Sequence, residues 1–247
     1  MQYLKRQTRK NGDDAVSPVV GVMLMLVVTI IIAAVVSGFA GGLIGGQQKA
    51  PSMSMDVKIA NSGTWVGSGF TATVTSVSEP IATKNLKIVT SWKSGKGVVG
   101  GNTSTPGTKS AYYMVPASGG TGALKIMIPP FGSGPGVVAI NPTAPYTEQQ
   151  FGNYTLVQGT GLYANPFGTV SDKAIGGSSG ASSMDGYGVT TPYAYNGSAS
   201  ISFLDATQAV LGGNWQNLRA GDTVSVSVVH IPSGKVIFQK DVAVSEG

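Results

Sequence analysis

The residue types that carry catalysis and metal binding are sparse in this chain of 247 residues. It contains one histidine, His230, and no cysteine, whereas zinc sites need several histidine, cysteine or carboxylate ligands. Beyond Asp13 and Asp14, the acidic residues are scattered singly. The glycine-rich run at 132–136 lacks the spacing of a dinucleotide-binding loop. The sequence therefore predicts no enzyme, no cofactor and no metal ion.

One covalent modification does have a sequence signal. Three Asn-x-Ser/Thr sequons occur, at Asn102, Asn153 and Asn196, and this triplet is the acceptor for N-linked glycans in exported proteins. The triplet at Asn141 is excluded because Pro142 occupies its middle position. All three remaining sequons lie in turn-like sequence, where we expect a surface acceptor.

Composition favours β structure and argues against nucleic acid as a partner. Charged residues make up 11% of the chain, against about a quarter in ordinary soluble domains. The chain also holds 36 glycines, which is typical of turn-rich β domains. Four positive charges lie within the first ten residues, and the others are spread thinly. No basic stripe that could follow a phosphate backbone is visible.

A long apolar segment follows the charged N-terminus. No charged residue occurs from Val16 to Gln48, and Val19–Val36 is apolar apart from Gly21 and Thr29. As a helix, roughly 20 such residues cross the ~30 Å hydrocarbon core of a bilayer. The segment is apolar on every side, so lipid or other helices must surround it.

Three interpretations of this segment compete. A cleaved secretory signal has an apolar region of about 7–15 residues, which is shorter than this one, although Gly38-Phe39-Ala40 fits its small-x-small cleavage pattern. An uncleaved membrane anchor would keep the N-terminal positive charges in the cytoplasm and place the head outside. The third interpretation depends on the residues just before the apolar run.

Residues 14–22, with the sequence DAVSPVVGV, resemble the processing site of archaeal type IV pilins. In that family a charged residue and then Gly or Ala precede the cut. The resemblance implies cleavage between Ala15 and Val16, with Asp14 before them, so that the apolar helix is retained. A competing cut would fall between Gly12 and Asp13.

The resemblance also implies a mode of assembly and a set of partners. A prepilin peptidase would cut a membrane-anchored precursor, and an assembly ATPase and a membrane platform protein would extract it. Copies of the chain would then form a helical homopolymer at the cell surface. The Ser-Pro start resembles adhesion pilins more than archaellins, so we expect an adhesive filament. The alternatives are a motility filament subunit and a membrane-anchored surface binding protein that never polymerises.

Local signals place the ends of the predicted helix. Pro18 is acceptable in a first helical turn, where its missing N–H would have had no partner, and Ser17 can serve as the N-cap. Paired glycines at 41–42 or 45–46 should end it. Four small residues would allow close approach of neighbouring helices: Gly21, Ala33, Ala34 and Gly38.

The predicted fold is α+β, with a long apolar helix followed by an all-β head, an antiparallel sandwich or barrel of immunoglobulin-like kind. Residues 1–15 form the cleaved signal, 16–46 the helix, 47–52 a linker and 53–247 the head, with a loop-rich insertion at about 141–198. Period-2 alternation predicts strands at Met53–Ala60, Phe70–Val77, Leu86–Trp92, Ala123–Ile128, Val137–Ile140, Ala199–Leu204, Val224–Ile231 and Val236–Val244. The last two flank the turn Pro232–Lys235 and should form a hairpin.

Overall fold

The structure is a computed structural model that describes residues 18–45, 49–108, 110–115, 123–138, 147–168, 186–196 and 205–247. The chain divides into two compact units, Met1–Gln48 and Lys49–Gly247. The predicted cap Ser17 lies outside the described residues. So do the predicted processing residues, which are Gly12, Asp13, Asp14, Ala15 and Val16.

The first unit contains the helix α1, which spans Pro18–Gly45. It begins at a proline, whose fixed φ suits the first turn. With 28 residues it is roughly 42 Å long at about 1.5 Å per residue. Glycines at 41 and 42 do not end the helix, and it continues to Gly45.

The second unit, the head, contains fourteen strands and one short α-helix among its described residues. The helix α2 spans Ala206–Leu211. The strands are β1 (Met53–Ala60), β2 (Gly69–Val77), β3 (Ile81–Ala82), β4 (Leu86–Lys93), β5 (Val99–Ser104), β6 (Ala111–Val115), β7 (Ala123–Met127), β8 (Phe131–Ser133), β9 (Thr155–Leu156), β10 (Gly161–Ala164), β11 (Gly186–Tyr187), β12 (Tyr195–Asn196), β13 (Thr223–His230) and β14 (Lys235–Ser245).

Eight strands form one sheet in the order β5-β4-β13-β14-β1-β2-β10-β8. Neighbours are antiparallel except β1 and β14, which run parallel and pair at Ile59–Val244 and Ala60–Ser245. Helix α2 contacts β4 and β5 near one edge of the sheet, and it also contacts β2 and β10 near the other edge. The sheet therefore curls around α2, which fills its concave side.

Alternation of apolar and polar residues builds the core. In β1 the odd-numbered residues from Met53 to Ile59 are buried, and Ser54, Asp56 and Lys58 are exposed. The inward face of β13 is likewise buried from Val224 to His230. The largest fully buried side chains include Trp215, Tyr154, Tyr187, Phe70 and Phe151.

The α+β layout, an apolar helix followed by a predominantly β head, is confirmed. Six of the eight predicted strands are also confirmed, with ends within two residues. Val137 and Val138 are not in a strand, and residues 139–140 and 199–204 lie outside the described residues.

The loop-rich insertion predicted at about 141–198 is wrong for part of its length. Gly161–Ala164 is the strand β10, which pairs with both β2 and β8 in the main sheet. The sequence pattern did not predict this strand, because four residues that begin with glycine show too little alternation of apolar and polar side chains. Its neighbours β9, β11 and β12 have two residues each. This part of the segment therefore belongs to the framework of the head.

Candidate functional site

From Val19 to Ser37, the surface of α1 is apolar and exposed on every side. Each residue from Val19 to Ser37 is exposed, and this stretch has a mean hydropathy of 3.2. The hydroxyl of Thr29 donates to the carbonyl oxygen of Leu26 at 2.9 Å, so it needs no partner outside the helix. Among the described residues, α1 is the one helix long and apolar enough to cross a membrane.

The four small residues predicted for helix packing do not form a single stripe. At about 100° of rotation per residue, Ala34 and Gly38 share a face, whereas Gly21 lies roughly 140° from Ala34. Ala33 lies on a third side of the helix. A Cβ atom added at Gly21 would meet nothing within 4 Å. Close approaches at these residues would therefore involve several neighbouring helices.

The N-terminal segment matches a known family. Residues 14–55 match the family model described as archaeal type IV pilin, N-terminal. The match covers 42 of the 247 residues, which are the segment before α1, α1 itself, the connection after it and the start of β1. No curated protein sequence matches the chain.

The matched segment contains the exposed helix. A helix that is apolar on every side from Val19 to Ser37 needs apolar surroundings, which are lipid or other helices. The family resemblance predicted from residues 14–22 is thereby confirmed, and the described helix begins four residues into the matched segment. The head after residue 55 lies outside the match.

In the head, α2 is held at its C-terminal end by side chains of the sheet. The last carbonyl groups of a helix lack intrahelical partners and must find others. Here the carbonyl oxygens of Ala209, Val210 and Leu211 accept hydrogen bonds from three side chains: Asn102 Nδ2 at 2.7 Å, Thr90 Oγ1 at 2.6 Å and Trp92 Nε1 at 2.7 Å. These bonds fix α2 against β4 and β5.

The N-terminal end of α2 carries a capping box. Asp205 Oδ1 accepts from the backbone N–H of Gln208 at 2.8 Å, and the Gln208 side chain accepts from the N–H of Asp205 at 3.0 Å. This reciprocal pair satisfies two helix-terminal donors. Thr207 donates to the carbonyl oxygen of Ala164 in β10 at 2.9 Å, so α2 also binds the other side of the curled sheet.

A buried polar network surrounds Asp205. The second carboxylate oxygen, Oδ2, accepts from the hydroxyl of Tyr195 at 2.6 Å and from the N–H of Phe167 at 3.2 Å. Trp215 Nε1 donates to the Tyr195 hydroxyl at 2.7 Å. Burial raises the pKa of the Asp205 carboxyl to about 6, and hydrogen bonds from Gln208 and Tyr195 work against that rise.

The tyrosines of this region pack inside the head. Tyr187 is fully buried, its ring lies 4.6 Å from that of Trp215, and its hydroxyl donates to Asn61 at 2.6 Å. Burial raises the pKa of Tyr187 well above its ordinary range. The guanidinium of Arg219 lies 3.7 Å from the ring centre of Tyr193. Tyr187 and Tyr195 therefore hold the β11–β12 ribbon on the core.

The structure separates the three sequons. Asn153 is exposed in a turn, and its Nδ2 donates to the carbonyl oxygen of Thr147 at 2.8 Å. Asn102 lies in β5 rather than in a turn, and its Nδ2 is directed at Ala209. Asn196 is half-buried in β12, and its Oδ1 has no partner among the described residues.

His230 is a structural residue at the end of β13. It is 7% exposed, and its Nδ1 lies 2.9 Å from the hydroxyl of Ser233 in the following turn. Within the described part of the chain, no three His, Asp or Glu side chains come together as metal ligands would. The histidine and this hydroxyl form a contact within the turn.

Proposed function

We propose that the chain is a structural subunit of an archaeal type IV pilus-like surface filament. The observation that carries this is α1, a pilin helix whose side chains from Val19 to Ser37 are all exposed. Such a surface cannot remain in water, because full burial of one large aliphatic side chain is worth roughly 1.5–3 kcal/mol. Lipid covers it before assembly, and the helices of neighbouring subunits cover it in the filament.

Assembly requires a supply of energy. Transfer of α1 from lipid to a helix bundle gains little hydrophobic free energy, since both surroundings are apolar. An assembly ATPase and a membrane platform protein would provide the work, after a prepilin peptidase has cut between Ala15 and Val16. The charged residues before the cut would otherwise have to enter the apolar filament core.

Adhesion is the finer part of the proposal. A cavity of about 580 Å³ opens on the head between the β1–β2 connection and the chain after β10. Its lining combines the aromatic rings of Trp65 and Phe167 with the polar side chains of Lys58, Ser68 and Asn165. Ligand sites commonly combine aromatic walls with a few polar groups, which suits attachment to a surface ligand.

The chain contains no cysteine, so a single introduced cysteine reports on the filament core. Val28→Cys lies in the middle of α1, and Val99→Cys lies on the edge strand β5 of the head; both positions are exposed in the subunit. In intact filaments, a water-soluble maleimide should label Val99→Cys and leave Val28→Cys unlabelled until the filaments are dissociated. Equal labelling of both in filaments would contradict a helical core.

A further inference from the structure

The strand registers place four connections at one end of the head. Met53 pairs with Val77, Leu86 with His230, and Ile88 with Ser104. Because β1 and β14 are parallel, Met53 and Lys235 also lie at this end. We call it the entry end, since the chain enters the head there: residues 49–53, 77–87, 104–108 and 230–236.

The β13–β14 hairpin extends beyond β1 and β2 at the entry end, and β4 reaches equally far, because His230 pairs with both Leu86 and Lys235. The pairing of Ile59 with Val244 places Met53 level with residue 238, so β14 begins three residues further out, roughly 10 Å at about 3.3 Å per residue. The turn of the hairpin, Ile231–Gly234, therefore lies beyond β1 and β2, beside Asn85, whose carbonyl oxygen accepts from the N–H of Ile231 at 2.8 Å.

The tip of this hairpin exposes aliphatic side chains beside Lys235. Ile231 is 47% exposed and Val236 is 53% exposed. Val229 is paired directly with Val236 and is half-buried, as is Ile237. Ile237 packs against the core of the head, so the exposed apolar surface of the tip consists of Ile231 and the paired Val229 and Val236. At the opposite end, the exposed Val66 lies on the β1–β2 connection and the exposed Val99 is the first residue of β5.

The entry end is also positively charged among its described residues. Lys49, Lys84, Lys87 and Lys235 lie there, against Glu79 and against Glu148 of the segment 147–153, which packs on Thr83 and Pro106. The opposite end, residues 60–69, 93–99, 219–223 and 244–247, is more balanced, with Lys93, Lys96 and Arg219 against Asp222 and Glu246. An apolar tip beside lysines is the combination that binds an anionic lipid surface.

We propose that the tip of the β13–β14 hairpin docks on the anionic surface of the membrane in which α1 is inserted before assembly. This inference rests on the proposed function, which places α1 in the membrane in the precursor stage. Ile231 and Val236 enter the headgroup region, and Lys84 and Lys235 lie against lipid phosphates. The docked head is thereby held at the bilayer until the subunit is extracted.

Two single-cysteine variants of the full chain test the contact. Val236→Cys lies at the tip, and Val99→Cys is a matched control, since both are exposed valines of the same sheet. After reconstitution in vesicles, outward-facing heads are labelled with a membrane-impermeant, environment-sensitive fluorophore. The vesicles contain phosphatidylcholine alone or with one-third phosphatidylglycerol, and spin-labelled lipid serves as quencher.

We expect quenching and a blue shift for the label at position 236 in the anionic vesicles, and neither for the label at 99. Raising the salt concentration should weaken the effect, because screening shortens the range of surface charge. Removing Lys84 or Lys235 as Lys84→Gln or Lys235→Gln should weaken docking about fivefold for each lysine. Lys93→Gln at the opposite end should leave it unchanged.

Equal responses at positions 236 and 99, or a response at 236 that is independent of phosphatidylglycerol, would overturn the proposal. So would a response at 236 that appears only in assembled filaments, since the tip would then contact a neighbouring subunit. The vesicle experiment and the recovery of filaments test different claims. If the tip does not dock, filaments should still be recovered. If filaments do not assemble, the vesicle result still holds, because the vesicles contain only the anchored chain.

Discussion

The hydroxyl of Tyr195 donates a hydrogen bond of 2.6 Å to the Asp205 carboxylate in the interior of the head. Tyr195 belongs to β12, and Asp205 is the N-cap of α2. This one bond therefore joins a ribbon from the glycine-rich part of the chain to the helix that fills the curled sheet. The same carboxylate accepts from the N–H of Phe167, so three segments meet at Asp205.

The stability of the head should depend on pH through Asp205. Its pKa rises from 3.8 to about 6 on burial, so between these values the folded state binds more protons than the unfolded state. The free energy of unfolding then falls as the pH rises through this window, by about 3 kcal/mol. Urea midpoints in detergent, followed by fluorescence of the three tryptophans of the head, measure it.

Two variants isolate this effect from other titrating groups. Asp205→Asn removes the titrating group, so the free energy of unfolding should no longer fall between about pH 4 and pH 6. This holds whether or not the variant changes the stability at any single pH. Tyr195→Phe removes a donor that lowers the pKa of Asp205 and should move the fall to higher pH. An unchanged profile in Asp205→Asn would show that another group is responsible.

The C-terminal cap of α2 should contribute to stability as well. Thr90→Val removes the hydroxyl that donates to Val210 and leaves a buried carbonyl group unpaired, which we expect to lower the free energy of unfolding by about 1–3 kcal/mol. Thr73→Val on β2 is the matched control, since Thr73 is exposed. Equal urea midpoints for the two variants would contradict this role of Thr90.

The helix and the alternating strands were predictable because their signals are local. The apolar run gives α1, and the turn Pro232–Lys235 between two alternating runs gives the β13–β14 hairpin. Helix α2 was missed because six residues are too few for helical periodicity. Its one local signal was the spacing of Asp205 and Gln208, which is that of a capping box.

The remaining features depend on contacts between distant parts of the chain. The parallel pairing of β1 with β14 joins residues 59–60 to 244–245, and no local pattern encodes it. Asn102 satisfies the sequon pattern, but its amide is used by Ala209 on α2, which only the fold reveals. The processing residues before Ser17 were inferred from resemblance alone and stay a prediction.

Glycan occupancy should differ between the sequons of the folded head. Asn153 is exposed in a turn, whereas Asn102 is half-buried in β5 and its amide donates to the carbonyl oxygen of Ala209 on α2. We therefore expect a glycan on Asn153 and none on Asn102, measured by mass spectrometry of glycopeptides from the native host. Asn153→Gln should remove the glycan mass. Comparable occupancy at Asn102 would show that glycan transfer does not require the folded strand.

Gly21 offers a test of helix packing that spares the subunit itself. A side chain at this position meets nothing within 4 Å in the isolated chain, and leaving glycine raises helix propensity by up to about 1 kcal/mol. Gly21→Leu should therefore insert in membranes normally and assemble poorly, because neighbouring helices approach there. Val22→Leu, one residue further on, is the control. Normal filament yield from Gly21→Leu would remove Gly21 from the packing surface.

The mass of the chain recovered from sheared surface filaments tests the central claim most directly. The proposed function predicts filaments built from a chain that lacks residues 1–15, begins at Val16 and retains α1. A cut between Gly12 and Asp13 would give a mass larger by three residues and would move the processing site without changing the role of α1. Recovery of the intact chain in membranes alone, with none in the sheared fraction, would contradict the pilin function.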